Sequence, residues 1–310
     1  MAKTTKPRLN AADIDRLYGT DDACKALLTK LRWPDGQIAC PRCGETKRVY
    51  KTAQAFRWKC KGCNKNGYRF SVLTRTVFEN TNMPLVTWFK VAFLMLSSKK
   101  GISALQIWRM MEPVRGSTGS YKTAWYMCHR LRAAMVDLQS LTGIVEIDET
   151  YVGGSAKNAH RGNRGRTTKA TRVRGSRLVP PKTGVVGAIA RQGNVVAKVI
   201  GTTGAPTIKS FIRQTVADDV SLVATDEAPA YATLHRDFPH ESVNHRSGEY
   251  VRGQVHTANL DSFWSLLKRG IMGNFHHVSA DYLPLYVNEF SWRHNNRNNE
   301  DIFHALLAGC

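Results

Sequence analysis

Acidic residues are scarce in this sequence. Its 310 residues include 24 Asp and Glu against 45 Lys and Arg, a formal net charge of +21. So large an excess repels itself unless a polyanion neutralises it, and the polyanion most often met is nucleic acid. Long apolar runs are also missing. No stretch reaches the roughly 18 apolar residues that a membrane span needs, so no membrane partner is expected. The opening "MAKTTKPRLNAADIDR" is basic but lacks an apolar core. It does not read as a signal peptide, and a cytoplasmic, nucleoid-associated location is expected. Cysteine is sparse: seven in the chain. A non-secreted chain does not use so few thiols as a disulfide framework.

Four of the cysteines are organised. Cys40 and Cys43 form one C-x2-C pair, and Cys60 and Cys63 form a second after sixteen residues. Each pair makes a knuckle that points two thiolates at one place. Two knuckles complete a tetrahedral site for one structural Zn2+, with no position left for catalysis. The alternating residues between the pairs suggest a hairpin, so 38–75 is expected to be a zinc ribbon. Its basic and aromatic neighbours Arg42, Lys47, Arg48, Arg57, Trp58, Lys59 and Lys61 suit DNA contact. The plainer alternative is a ribbon that only stabilises a small domain or docks a protein. Cys24, Cys128 and Cys310 stand alone and read as buried or incidental thiols.

The ribbon follows an N-terminal helical segment, 1–37, with helix expected over 11–32. It precedes three helical patterns over 84–136. A short helix, a turn and a basic amphipathic helix suggest a helix-turn-helix-like DNA-binding domain, although any small bundle has the same pattern.

Residues 144–300 read as a mixed α/β domain. "IVEIDETYV", "TGVVGAIA" and "NVVAKVIG" are strands, "APTIKSFIRQTVAD" a helix, "SLVATD" a buried strand and "ESVNHR" a weak one; two helices follow. This is the element order of a ribonuclease H-like fold. A basic insertion, 155–182, interrupts it with nine Lys and Arg and no acid. It is expected to be a disordered or DNA-ordered loop.

Three acids fall at telling places. Strand alternation puts Glu146 and Asp148 on one face of the first strand, costly for a central strand unless a cation sits there. Asp226 ends a later strand, where α/β sheets place functional groups. Asp261 heads a helix on which Ser265 and Lys268 share its face. Alone, Asp261 reads as a helix cap before it reads as a ligand. Together, Asp148, Asp226 and Asp261 suit one or two Mg2+ ions, hard cations that take oxygen ligands and serve phosphodiester chemistry in pairs.

The stretches "LRWPDG", "CPRCG", "KCKGC", "SSKKGISALQIWRMM", "VEIDETYVGG", "ATDEAPAY", "HTANLDSFWSLLKRG", "FHHVS" and "VNEFSWRHNNR" occur in order over residues 20–300. With them the chain resembles the DDE transposases of bacterial insertion sequences, in the zinc-ribbon family numbered fifteen ninety-five. The resemblance implies a transposase that binds insertion-sequence ends, cleaves DNA strands with Mg2+ (or Mn2+, two ions), and joins the freed 3′-OH to target DNA. It implies Asp148 and Asp226 as the first two catalytic acids, and Lys268 as a contact to DNA phosphate near the cut. It also implies double-stranded DNA as partner (terminal inverted repeats and target) and a homodimer or higher assembly. The family's third acid is commonly Glu, where this sequence has Asp261. Asn259 is a second candidate for the third place, and Glu146 is a reserve ligand. The alternatives are a catalytically impaired or domesticated DNA-binding derivative, and a nuclease that cuts without joining.

Overall fold

A Gly-Thr step at positions 19 and 20 divides the first helical pattern in two. Thr20 turns extended (φ −131°, ψ 150°) and its hydroxyl accepts the N–H of Ala23. Helices α1 (Ala11–Tyr18) and α2 (Asp21–Arg32) therefore fill the segment expected to be helical over 11–32, with Thr20 as the second helix's N-cap. The structure is a computed structural model. It describes residues 9–111, 119–137, 139–153, 171–173, 177–179, 182–191, 193–243, 251 and 256–310. Two units emerge, one of residues 1–136 with 296–310 and the other of residues 137–295.

In the first unit the cysteine segment folds as an antiparallel sheet of β1 (Val49–Lys51), β2 (Arg57–Cys60) and β3 (Tyr68–Ser71). Its apolar face is aromatic: Trp58 is buried between Trp33 and Phe70, at ring centroid distances of 5.2 and 5.9 Å. Trp58, expected among residues facing DNA, is therefore part of the ribbon's core. Helices α3 (Leu85–Ser97), α4 (Ala104–Met110) and α5 (Tyr121–Ala134) follow. Ser103 and Ser120 cap α4 and α5 by accepting the N–H of Gln106 and Thr123.

The second unit is a five-stranded sheet between helices. Its strands are β4 (Ile144–Val152), β7 (Thr183–Ala190), β8 (Val195–Ile200), β9 (Leu222–Asp226) and β10 (His240–Val243), ordered β10-β9-β4-β7-β8. β9 runs parallel to β4 and to β10, and β7 antiparallel to β4 and β8. In order of appearance the sheet reads 3-2-1-4-5 with only the second strand reversed, which is the ribonuclease H-like arrangement. Two short strands, β5 (Thr171–Val173) and β6 (Arg177–Val179), pair with each other within the basic insertion. That pair departs from the disordered or DNA-ordered loop expected over 155–182; the rest of 155–181 lies outside the described residues.

Helix α6 (Ala205–Thr215) buries Ile208, Phe211 and Ile212 against Val145, Ile147 and Val223 on one face of the sheet. Helices α7 (Ala258–Gly270) and α8 (Leu283–Asn295) bury Leu260, Phe263, Trp264 and Val287 against Val185 and Ile189 on the other. Helix α9 (Ile302–Gly309) belongs to the first unit. Among the described residues no helix is long and apolar enough to cross a membrane.

Candidate active site and zinc centre

Alternation along β4 sends Val145, Ile147 and Glu149 toward α6, and Glu146 and Asp148 toward α7. Glu146 is fully buried. Thr257, at the head of α7, makes no side-chain cap bond. The backbone N–H groups of Asn259 and Leu260 donate instead to Glu146 Oε2, at 3.0 and 3.4 Å. The side-chain amide of Asn259 donates to Oε1 at 2.7 Å, and Arg191 and His256 face the same oxygen at 3.4 and 3.2 Å. A carboxylate so placed takes the N–H of Asn259, shares that of Leu260 with the Thr257 carbonyl (3.1 Å), and complements the helix dipole. The two reserve ligands, Glu146 and Asn259, thus bond to each other. Asp261 is not the cap: it lies inside the first turn, three residues after the helix begins.

Asp148 is half-buried, and its Oδ2 accepts the indole N–H of Trp264 at 3.0 Å. Gly187 sits opposite Asp148 on β7. A Cβ there would lie 2.7 Å from the Trp264 ring, so the glycine makes the space that the indole fills. Burial pushes the Asp148 carboxyl up to about 6, and the charges of Asp226 and Asp261 add to the rise. A backbone hydrogen bond and the Trp264 N–H oppose it.

Asp226 closes β9. The parallel register ends at the pair Glu146–Ala224, two residues before Asp148 on β4 and Asp226 on β9. Asp226 Oδ1 accepts the N–H of Ala228 at 3.0 Å. Asp261, Ser265 and Lys268 form one exposed stripe of α7, while Phe263, Trp264 and Leu267 are buried. Asp226 and Asp261 lie near enough for their charges to act on Asp148, yet the oxygens of the three do not all fall within 4.8 Å. Among the described residues only the four cysteines do so. On the opposite face Glu149 lies beside the buried Tyr231. Burial pushes Glu149 up to about 7, the Tyr231 hydroxyl opposing and the charges of Asp148 and Asp226 adding.

The sulfurs of Cys40, Cys43, Cys60 and Cys63 converge, with separations of 3.6 Å (Cys40–Cys63), 3.7 Å (Cys43–Cys60) and 3.3 Å (Cys43–Cys63). A tetrahedron with Zn–S bonds of about 2.3 Å has edges of about 3.8 Å, so the set fits a structural Zn2+.

The chain matches the transposase zinc-ribbon domain over residues 19–66 and the ISXO2-like transposase domain over residues 140–295. It belongs to the ISXO2-like transposase family. A protein of the transposable element ISH50 from Halobacterium salinarum is 33% identical to this transposase over 276 residues, covering 86% of this chain and 88% of the relative. A transposase-like protein of Haemophilus influenzae is 29% identical over 103 residues, covering 33% of this chain and 81% of the relative. A chain of the simian T-cell lymphotropic virus intasome, solved in complex with PP2A regulatory subunit B56 gamma, superposes with a TM-score of 0.31 at 14% identity. That match covers 66% of this chain and 65% of that one, and is too slight to carry an argument.

Several residues around the acids escape sequence reasoning. Trp264 reads as one more apolar residue on the buried stripe of α7. Arg191 carries no motif, and His256 opens the stretch "HTANLDSFWSLLKRG" without a role that the sequence assigns it. Gly187 has a weak signal, since a glycine inside a strand marks close approach of another group.

Proposed function

We propose that this transposase cuts DNA strands at the ends of an insertion sequence and joins the freed 3′-OH to target DNA, with Asp148, Asp226 and Asp261 as its metal-binding acids. The observation that supports the reading is the position of these acids on a central strand, at the end of its parallel neighbour and in the first turn of the helix packed on that sheet. The charges of Asp226 and Asp261 already bear on half-buried Asp148, and an all-oxygen donor set of this kind suits Mg2+ or Mn2+. Bound there as a pair, such ions supply Lewis acidity to the attacking and leaving oxygens of the phosphodiester.

The protein's own groups orient the site. Trp264 holds one oxygen of Asp148, and the Ala228 N–H holds one oxygen of Asp226. Lys268, exposed on the stripe of Asp261, is placed to meet a DNA phosphate. The ribbon (38–75) and the three-helix segment (84–136) bind the terminal repeats ahead of the catalytic domain (144–300), and a homodimer or higher assembly brings two ends together.

The test is an oligonucleotide assay that scores cutting and joining separately, with DNA carrying the element's terminal repeats. Asp148→Asn and Asp226→Asn are expected to lose at least about a thousandfold in both steps, since metal positioning supplies most of the rate enhancement. Asp261→Asn follows them, and Asp261→Glu keeps activity. Full activity of Asp261→Asn would remove Asp261 from the ligand set. Cutting without joining would leave a nuclease. Terminal-repeat binding with no cutting by the wild type would leave a DNA-binding derivative.

A further inference from the structure

We infer that Trp264 is a positioning residue for metal binding: its indole N–H fixes Oδ2 of Asp148, and Gly187 is the space that lets it do so. The inference rests on the metal-site reading of Asp148.

Three observations place the indole there for its N–H and not only for its bulk. The ring is buried by the apolar stripe of α7, yet its polar edge meets a carboxylate at 3.0 Å. A buried indole N–H is costly without an acceptor, and Asp148 is that acceptor. The residue facing Asp148 across the sheet is Gly187, the one residue type that leaves room for the ring, since any Cβ would stand 2.7 Å from it.

The consequence is geometric. An aspartate can turn about its last torsion and offer either oxygen. With Oδ2 held by the indole, that rotation stops, and the remaining oxygen has one direction. Trp264 also lies one turn beyond Asp261 on α7, so the same bond ties the strand-borne acid to the helix that carries the third acid. Metal ligands held by a second hydrogen bond in this way lose about 10- to 100-fold in affinity when the bond is removed.

The experiment measures Mn2+ and Mg2+ binding by calorimetry on the full-length protein with its ribbon zinc-loaded, alongside cleavage kinetics. Trp264→Phe keeps an aromatic ring and deletes the N–H. It is expected to weaken Mn2+ binding about 10- to 100-fold, to lower kcat with KM for DNA unchanged, and to regain rate as Mn2+ is raised. Because the smaller ring loosens the core, the double variant Gly187→Ala/Trp264→Phe supplies the control: the new Cβ enters the space the indole vacates, and the donor stays absent. If Trp264 acts through its N–H, the double variant regains thermal stability and not metal affinity. If it acts through packing, both return, and the inference is overturned. Asp148→Asn separates the two readings. Should it too bind Mn2+ as the wild type does, the metal-site reading falls; should it lose binding while Trp264→Phe keeps it, only the role of Trp264 falls.

Discussion

Asp148 is ionised at neutral pH against its surroundings. Burial, with two acidic neighbours, pushes its carboxyl up to about 6, against about 3.9 in an unfolded chain. The native state therefore binds the extra proton between roughly pH 4 and 6, and stability falls as pH rises through that window. By pH 7 the whole penalty is present, on the order of 1–3 kcal/mol. Asp148→Asn keeps the shape and an acceptor for Trp264 and removes the charge. In Mg2+-free buffer at pH 7.5 it is expected to raise unfolding free energy by about 1–3 kcal/mol, measured by urea denaturation. The gain shrinks as pH drops toward 5. Millimolar Mg2+ reverses the order by stabilising only the wild type, through mass action on the folded state. A variant no more stable than the wild type at pH 7.5 would mean that the carboxylate is not strained.

Helix α7 is set by a residue more than a hundred positions away in the chain. Its natural cap position, Thr257, makes no side-chain bond, and buried Glu146 receives the amide of Asn259 and shares that of Leu260 with the Thr257 carbonyl. Glu146→Gln is expected to cost about 2–4 kcal/mol, because the amide removes the buried charge that faces Arg191 and the helix start and turns a donor toward N–H groups. Hydrogen exchange at Asn259 and Leu260 should accelerate ahead of the rest of α7, and unchanged exchange there would count against the cap. This element also marks the limit of sequence reading. Its buried and exposed stripes, its place beside the acids and the parity of Glu146 with Asp148 were all visible, because side-chain periodicity is local. The partners of Glu146 were not, because a carboxylate on a strand looks the same whether it faces an ion or a helix end. Helix α9 escaped for another reason: eight residues at the chain's end hold too few turns for a period to show.

At the scale of the molecule, the scarcity of acid acquires a meaning. Of 24 acidic residues in the chain, three fall within the nine of β4. On the proposed function, the basic excess meets a polyanion, while the few acids concentrate where cations would be needed. The four cysteines of the first unit fit a soft-ligand site and the proposed acids of the second a hard-ligand one, and ligand softness would keep them distinct. Zinc in the ribbon holds together a sheet with three short strands and a core of Trp33, Trp58 and Phe70, too small to persist on burial alone. A thiol-selective chelator should abolish the near-UV signal of that aromatic cluster while the amides of β4, β7 and α7 keep their exchange protection. Affinity for terminal-repeat DNA should fall at least about tenfold with it, an amount equal to the loss of one or two phosphate contacts, and Zn2+ should restore it. Mg2+ should restore nothing, since a hard cation does not take four thiolates. If zinc removal left DNA affinity intact, the ribbon would be a structural module only, and end recognition would rest on the helices α3 to α5.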